Sequence, residues 1–434
     1  MDWREDYQKK LVTAEEAVKI VRSRDRVVIP IGGEPTLLPH ALAQRAGELE
    51  DVELLLCLPM NDFGFWREEV HDSFKVALET FVGDLGRYAL DEKRADYYPN
   101  LFSLNFKVYD EGRPLVRDID AVMTVVSPPD DHGFCSFGLR VWNKRAYALR
   151  AKKVLVEVDA NQVRTYGTNF IHVSRVDYFV ENTVPPRPRR EYPIDHRTRA
   201  IAGYVSSLIQ DGDTIQVGHG SFTRPLSLLG VFNDKNDLGW HSEVTPYGIV
   251  KLVRRGVING SRKTLHQEKV VATQLEGDDE DVAFMAHNPM FEVHDVNYVN
   301  DIRTIMAHDN MVAINQAMAI DLTGQIGAES VGPRTWNGSG GQPEFAIGAV
   351  MSKGGRSITV LPSTALGGYV SRIVAKLEPG TVITIPRSYA DMVVTEHGIA
   401  RLMGKSQRQR AEALIAIAHP DFRVQLGEEA QKLF

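Results

Sequence analysis

The sequence contains little cysteine: Cys57 and Cys135 are the only two among its 434 residues. They stand in the stretches "LLLCLP" and "HGFCSFG", with no second cysteine near either of them. This spacing excludes a disulfide framework and a CxxC site. A reduced compartment suits such a chain, and the charged N-terminus, "MDWREDYQKK", is unlike a targeting segment, so we expect a cytoplasmic protein.

The sequence also lacks long apolar runs and an excess of positive charge. No window approaches the roughly 20 apolar residues that a membrane span requires, so no membrane partner is expected. Lys and Arg total 50 against 57 Asp and Glu, a formal charge of −7. Because no basic patch stands out, a nucleic acid partner is not expected either.

Several familiar catalytic and metal-binding motifs are missing as well. The 13 histidines give neither an HExxH pattern nor a cluster with cysteine, so no metal is expected. There is no GxSxG nucleophile elbow and no Walker A loop. The chemistry therefore has to come from other residues.

What the sequence does contain is a regular alternation of short apolar runs and helical periodicity. The run "RVVIPI" precedes the helical pattern "TLLPHALAQRAGEL", and "DVELLLCLP", "DAVMTVVSPP" and "KKVLVEV" are further strand candidates. Such an alternation predicts an α/β fold with mainly parallel sheets.

One stretch, residues 181–200, interrupts this alternation with four prolines and several arginines. Its composition is typical of an exposed interdomain linker, with a long surface loop inside one domain as the alternative. We therefore expect two α/β domains, at 1–186 and 187–434. The stretches 20–43 and 207–232 share the order of turn, strand, glycine-rich bend and helix, which indicates either an internal repeat or a chance similarity of two such units.

Two glycine-rich segments are candidate binding loops. "VGHGSF" follows the strand candidate "DTIQV", and "NGSGGQPEF" precedes an apolar helical pattern. Glycines let backbone N–H groups approach a phosphate, a thioester or an oxyanion. The first loop is not a dinucleotide fingerprint, because Thr223 stands at the position of its third glycine. Either segment could instead be only a turn.

A single carboxylate, Glu243, stands out in "DLGWHSEVTPYG". It follows an apolar stretch and comes 23 residues after Gly220. If both positions lie at carboxyl ends of strands in one sheet, the acid and the first glycine loop face one crevice. The alternative is a surface charge at a helix start, favoured by the helix dipole.

The order of motifs along the chain resembles the acetyl-CoA hydrolase/transferase family, closest to its 4-hydroxybutyrate coenzyme A-transferase branch, a class I CoA-transferase. The resemblance is carried by "TAEEAV", "SPPDDHGFCSFG", "FIHVSRVDYFVE", "DLGWHSE", "GVING", "INQAMAIDLTGQI", "GSGGQPEF", "VVTEHGIARLMGKS" and "RAEALIAIAHPDF". It implies two related α/β domains with the active site between them, and a homodimer or homotetramer.

The resemblance also implies a chemistry, in which Glu243 matches the family's covalent nucleophile. Its carboxylate attacks an acyl-CoA, such as acetyl-CoA or succinyl-CoA, and a glutamyl-CoA thioester forms by way of an anhydride. A short carboxylic acid then reverses the steps and leaves as its CoA ester. No cofactor is bound permanently in this scheme, because the coenzyme A thioester is itself a substrate.

Further residues are assigned by the same resemblance to CoA binding and oxyanion stabilisation. The first loop contributes backbone N–H groups, the second contributes N–H groups and an amide donor, and two apolar side chains line the CoA groove. In that order these residues are Gly218, His219, Gly220, Ser221 and Phe222, then Gly340, Gly341 and Gln342, then Met318 and Ile383.

This chain departs from the family pattern near the expected acyl pocket. Relatives usually read Gly-Ile-Gly-Ala-Ile-Pro where this chain reads "GHGSFTRP", and Trp240 replaces a smaller aliphatic residue. Arg224 could hold the remote carboxylate of a dicarboxylic acid such as succinate or itaconate. The alternatives are a solvent-exposed Arg224 and an acceptor resembling 4-hydroxybutyrate.

Two other functions remain open at the level of the sequence. An acyl-CoA hydrolase would use the same glutamate, with water in place of the second acid. A CoA-binding regulatory module would keep the fold without the chemistry, since a fold does not by itself imply a function.

Overall fold

A computed structural model of the chain describes residues 2–114, 116–183 and 194–434. The described residues divide into two compact units. The first contains the residues up to 183 together with Val282–Tyr298, and the second contains 194–281 together with Val299–Phe434. The expected linker at 181–200 and the expected boundary between 186 and 187 fall partly or wholly on 184–193, outside the described residues. That boundary stays a prediction.

The described residues form both α-helices and β-strands. The α-helices are α1 (Trp3–Lys10), α2 (Ala14–Ala17), α3 (Leu37–Ala43), α4 (Gly83–Asp91), α5 (Lys107–Asp110), α6 (Lys144–Ala148), α7 (His196–Ser206), α8 (Ile249–Arg254), α9 (Asp279–Met285), α10 (Val296–Val299), α11 (Ile302–Met306), α12 (Gln342–Met351), α13 (Gln407–Ala416) and α14 (Pro420–Leu433).

The strands are β1 (Arg26–Ile29), β2 (Val52–Leu56), β3 (Phe74–Glu79), β4 (Ala95–Tyr98), β5 (Ala121–Val126), β6 (Phe134–Ser136), β7 (Lys153–Val158), β8 (Phe170–His172), β9 (Tyr178–Glu181), β10 (Thr214–Val217), β11 (Gly239–Thr245), β12 (Val270–Leu275), β13 (Phe291–Val293), β14 (Met311–Gln316), β15 (Ala319–Asp321), β16 (Ile326–Gly327), β17 (Ser330–Val331), β18 (Arg334–Thr335), β19 (Arg356–Val360), β20 (Thr364–Ala365), β21 (Val370–Ser371), β22 (Ile373–Val374), β23 (Met392–Thr395) and β24 (Gly398–Arg401).

The first unit is built on a parallel sheet with the strand order β4-β3-β2-β1-β5-β7-β9. Every residue of β1, β2 and β5 is buried. Burial on both faces explains why these strands are continuous apolar runs in the sequence rather than alternating patterns. The predicted α/β fold class is thus confirmed.

The second unit carries a sheet in which the strands follow the order β12-β11-β10-β14-β19-β23-β24. All neighbours are parallel except the last pair, β23 and β24. In the first unit β1 is central, β2, β3 and β4 are added on one side, and the chain then crosses to β5 on the other side. In the second unit β10 is central, β11 and β12 are added on one side, and β14 follows on the other side. This shared order supports the internal repeat that the glycine-rich bends after β1 and β10 suggested.

The last two helices, α13 and α14, each begin at residues that suit a helix start. Ser406 caps α13 with a capping box that Gln409 completes, which satisfies backbone N–H groups at the helix start. Pro420 opens α14 at the first helical position, where its missing N–H costs nothing.

Among the described residues, no helix has both the length and the apolar composition needed to cross a bilayer.

Candidate active site

The candidate site lies at the carboxyl ends of the central strands of the second unit. β10 pairs with β11 on one side and with β14 on the other, so the strand order reverses direction at β10, which is where open α/β sheets form a ligand crevice. The backbone N–H of Val217, just before the first glycine loop, lies 3.4 Å from Oγ of Ser242. Glu243 is the next residue, so the structure brings the loop and the acid to one place.

Glu243 belongs to strand β11 rather than to the start of a helix. It lies in the second half of the strand, and helix α8 begins only after the turn formed by Pro246, Tyr247 and Gly248. Only 7 % of the residue is exposed, and its backbone carbonyl accepts a hydrogen bond from Thr273 at 2.9 Å. The structure therefore excludes the simple reading of a solvated charge at a helix start.

The side chain of Glu243 is held by Asn300. Nδ2 of Asn300 donates to Oε2 of Glu243 at 2.7 Å and to Oε2 of Glu344 at 3.1 Å. Asn300 and Glu344 are fully buried, and Glu344 lies in the first turn of α12. One amide group thus joins two buried carboxylates.

Gly341, the N-cap residue of α12, completes the surroundings of the acid. Its backbone N–H donates to the Glu243 carboxylate. A Cβ atom at this position would lie closer than 3.0 Å to both Nδ2 of Asn300 and Oε2 of Glu243. Glycine is required at this position because the side chains of Asn300 and Glu243 approach its backbone so closely. The N-terminus of helix α12 also favours the negative charge of the Glu243 carboxylate.

The protonation of Glu243 reflects these contacts. Burial raises the pKa of its carboxyl group to about 8, and the charge of Glu344 acts in the same direction. The hydrogen bonds from Asn300 and Gly341 lower the pKa and so oppose that rise. A carboxylate with a raised pKa is a stronger nucleophile once ionised, and a dry site protects reactive acyl intermediates from water.

The first glycine loop is closely tied to the end of β14. Cβ atoms at Gly218 and Gly220 would collide with the side-chain oxygens of Asn315 and Gln316, respectively. The Oε1 atom of Gln316 also accepts a hydrogen bond from the backbone N–H of Phe222 at 2.8 Å. The glycines of this loop are therefore needed for close packing.

Three backbone N–H groups of this loop already have acceptors within the protein. The N–H of Gly218 donates to the backbone carbonyl oxygen of Ile314 at 2.8 Å. The N–H of Phe222 donates to Oε1 of Gln316, and that of Gly220 donates to Oγ1 of Thr223, both also at 2.8 Å. Each of these three groups helps to hold the loop, and their expected role as oxyanion donors stays a prediction. His219 and Ser221 are exposed members of the same loop.

The second glycine loop retains a potential donor. Gln342 is the first residue of α12 and is 9 % exposed, and its Nε2 atom has no hydrogen-bond partner among the described residues. Gly340 has a positive φ of 54°, a conformation that favours glycine. The amide of Gln342 is therefore consistent with the extra donor expected from the sequence.

Arg224 is not exposed to solvent, which was the alternative left open by the sequence. Its side chain is 12 % exposed and forms an ion pair with Glu276, whose side chain is 7 % exposed. Nη1 of Arg224 also lies 2.7 Å from Nε2 of His219. The positive charge of this guanidinium is thus already balanced by a carboxylate of the protein, which weakens its attraction for a second carboxylate on a substrate.

Three other expected residues lie apart from the contacts of Glu243. Trp240 is fully buried, and its indole N–H donates to Oγ1 of Thr245 at 2.9 Å, so it packs in the core of the unit. Met318 is half-buried between β14 and β15, and Ile383 is 43 % exposed. The expected place of Met318 and Ile383 in a CoA groove, and that of Trp240 beside the acyl pocket, stay predictions.

The sequence did not predict three residues of the site, which are Asn300, Glu344 and Gln316. Gln316 and Glu344 stand inside the quoted motifs "INQAMAID" and "NGSGGQPEF", where a buried acid or amide beside a glycine loop could have been noticed. Asn300 stands in "YVNDIR", 57 residues from Glu243. That stretch carries no pattern that signals a site.

Comparison with known families assigns the chain. The N-terminal domain model of the acetyl-CoA hydrolase/transferase family matches residues 1–186, and the C-terminal domain model matches residues 277–430. The chain belongs to the acetyl-CoA hydrolase/transferase family. The resemblance carried by the ordered motifs is thereby confirmed.

Curated members of the family align over the whole chain, including residues 187–276, which lie between the two model matches. The 4-hydroxybutyrate coenzyme A transferase of Clostridium kluyveri is 41 % identical, and the alignment covers 100 % of both chains. The succinyl-CoA:cyclohexane-1-carboxylate CoA transferase of Geobacter metallireducens is 39 % identical over 99 % of this chain and 97 % of its own.

Solved structures show the same fold. RipA from Yersinia pestis is 35 % identical, with a TM-score of 0.91 over 100 % of this chain and 99 % of its own. A 4-hydroxybutyrate CoA-transferase from Porphyromonas gingivalis is 32 % identical, with a TM-score of 0.79 and full coverage of both chains. The fold is therefore of the CoA-transferase type.

Proposed function

We propose that this protein transfers coenzyme A between an acyl-CoA and a short carboxylic acid through a glutamyl-CoA thioester at Glu243. The relatives from Clostridium kluyveri and Geobacter metallireducens are CoA transferases by name, which confirms the expectation of a CoA-transferase enzyme. The observation that carries the finer proposal is the buried Glu243 carboxylate, which Asn300 and Gly341 hold by hydrogen bonds.

The reaction proceeds through two covalent intermediates. The Glu243 carboxylate attacks the thioester carbonyl, and coenzyme A leaves as a thiolate, which gives an acyl-glutamyl anhydride. The thiolate then attacks the glutamyl carbonyl, so the first acid leaves and a glutamyl-CoA thioester remains. A second carboxylate attacks this thioester, and the same steps in reverse release its CoA ester and restore Glu243.

The contacts of Glu243 suit the charge that develops in these steps. Each attack on a carbonyl creates an oxyanion, which fixed donors in a dry site stabilise by several kcal/mol. The amide of Asn300 and the N–H of Gly341 already point at a glutamyl oxygen. These two donors support oxyanion stabilisation when the glutamyl carbonyl is the group attacked.

The burial of Glu243 favours transfer over hydrolysis. Only 7 % of Glu243 is exposed, so little water reaches an anhydride or a thioester formed on its side chain. A bound acid substrate, by contrast, is held beside the reacting carbonyl carbon by its binding energy. The CoA thioester enters as a substrate in this scheme. Self-association as a homodimer or homotetramer, and a cytoplasmic location, stay predictions.

The acid acceptor follows from the charge around Arg224. Because Glu276 already neutralises this guanidinium, we favour a short monocarboxylic acid resembling 4-hydroxybutyrate over a dicarboxylic acid such as succinate or itaconate. The remote carboxylate of a dicarboxylic acid would meet the negative charge of Glu276 beside Arg224. Acetyl-CoA and succinyl-CoA are the expected donors.

An acceptor panel tests this proposal. The enzyme is mixed with acetyl-CoA or succinyl-CoA and one acid at a time, and the new CoA ester and any free thiol are measured. We expect a new CoA ester without free thiol, and no product with Glu243→Gln. Free thiol released at the full rate without any acid identifies a hydrolase, and an active Glu243→Gln variant contradicts the covalent route.

A further inference from the structure

His241 stands two residues before Glu243 on strand β11 and is fully buried. Its Nε2 atom lies 2.8 Å from the backbone carbonyl oxygen of Val299. A carbonyl can only accept, so Nε2 carries the proton and the ring donates. Val299 ends helix α10, where a carbonyl oxygen has no partner within the helix. The imidazole therefore satisfies a carbonyl that the helix leaves open.

The residue after Val299 is Asn300, whose amide reaches Glu243 at 2.7 Å. Glu344, at 3.1 Å from the same amide nitrogen, restricts how the carboxamide can rotate, but it does not hold the backbone of Asn300. The bond from His241 to the Val299 carbonyl fixes the peptide group that joins Val299 to Asn300. Strand β11 thus holds both the nucleophile and, through His241, the donor that faces it.

The surroundings keep the imidazole neutral and fixed. The rings of His308 and Phe345 lie 4.6 Å and 6.2 Å from it, centroid to centroid. Burial lowers the pKa of His241 well below its usual value, and His308, Lys263 and His266 act in the same direction. Its Nδ1 atom has no hydrogen-bond partner in the part of the chain that the structure describes. A neutral ring with one proton, on Nε2, fits this environment.

We propose that His241 is a positioning residue, which holds the Val299–Asn300 peptide so that the Asn300 amide stays on the Glu243 carboxylate. The proposal rests on the function proposed for Glu243. His241 itself touches neither substrate nor the reacting atoms. It acts through the peptide that precedes Asn300.

Two substitutions separate the hydrogen bond from the shape of the ring. His241→Phe keeps the ring but removes the donor, and His241→Gln places an amide N–H near the position of Nε2. We expect His241→Phe to lower kcat by about 10- to 100-fold, the size of a small displacement at a catalytic group, with little change in KM for the acyl-CoA. His241→Gln should recover most of kcat.

The pH profile gives a readout that a loss of packing alone would not change. The hydrogen bond from Asn300 lowers the pKa of Glu243, so loosening it should move the acidic limb of kcat/KM to higher pH. The charged group that faces Glu243 from α12 is Glu344, and this residue is unchanged in both variants. Asn300→Ala should shift the limb in the same direction and further, and His308→Phe, a control in the neighbouring ring, should leave it in place.

Three outcomes would overturn the positioning role. These are a folded His241→Phe enzyme with the parental kcat and pH limb, a His241→Gln enzyme no better than His241→Phe, and a His308→Phe enzyme with the same pH shift. If His241→Phe does not fold, His241→Asn, whose amide is too short to reach Val299, takes its place in the comparison. An active Glu243→Gln variant would instead refute the proposed function, so the two failures are distinguishable.

Discussion

Nδ2 of Asn300 lies 2.7 Å from Oε2 of Glu243. The same nitrogen lies 3.1 Å from a second buried carboxylate, Glu344, so one amide group is shared between two acids. This arrangement couples the ionisation of Glu243 to both neighbours. The pH dependence of the reaction should follow from this coupling.

The first prediction concerns pH. Glu243 has to be ionised to attack, and burial raises its pKa to about 8. We therefore expect kcat/KM for the acyl-CoA to rise with pH through a midpoint near that value and to level off above it. Below the midpoint the carboxyl is protonated and inactive. Initial rates of CoA ester exchange between pH 6 and 9 test this, and a flat profile across that range contradicts it.

The second prediction concerns Glu344. Its negative charge raises the pKa of Glu243, and Glu344→Gln removes that charge while keeping an oxygen that can accept from Asn300. The acidic limb should therefore move to lower pH, by about one unit, which is the size of a typical neighbouring charge effect. An unchanged limb, or a shift to higher pH, would show that the two carboxylates are not coupled in this way.

The third prediction concerns Gly341. A Cβ atom there would collide with Asn300 and Glu243, so Gly341→Ala should lower kcat by about 100-fold or more through displacement of the nucleophile. The control is Gly203→Ala in helix α7, where an added Cβ has no atom within 4 Å. That variant should keep full activity and gain about 0.5–1 kcal/mol in the free energy of unfolding. Equal loss in both variants would contradict the assignment.

The fold was largely predictable from the sequence, whereas the surroundings of the nucleophile were only partly so. Parallel strands buried on both faces give continuous apolar runs, which is why β1, β2 and β5 were recognised. Glu243 stood out by its place after an apolar stretch and near a glycine-rich loop, and its role as a nucleophile came from the resemblance to a known family. Asn300 was not found, because its contact with Glu243 spans 57 residues and exists only once the chain has folded.

The first glycine loop shows a different limit of the sequence. Its glycines suggested free backbone N–H groups, but that of Phe222 is taken by the side chain of Gln316. A side chain from a neighbouring strand can occupy a donor that the loop sequence presents as open. Such competition is decided by strand pairing, here between β10 and β14, and no local pattern records it.

The fourth prediction concerns Arg224. Because its guanidinium pairs with the buried Glu276, Arg224→Ala should leave an unpaired buried carboxylate and lower the free energy of unfolding by about 3 kcal/mol or more. Use of acetate and of succinate should fall to the same extent. Chemical denaturation and the acceptor panel measure the two effects.

The control for this prediction removes both charges. Arg224→Met with Glu276→Gln leaves no unpaired charge, so it should recover most of the lost stability. A loss confined to succinate in Arg224→Ala, with acetate use intact, would instead assign Arg224 to a dicarboxylate substrate.

The central claim is that Glu243 becomes a thioester of coenzyme A, and mass spectrometry of the enzyme mixed with acetyl-CoA alone tests it most directly. We expect an adduct with the mass of coenzyme A less one water, located on the peptide that contains Glu243 and lost on borohydride reduction. Glu243→Gln should carry no adduct. Absence of the adduct from the parental enzyme, or its presence in Glu243→Gln, would contradict the account.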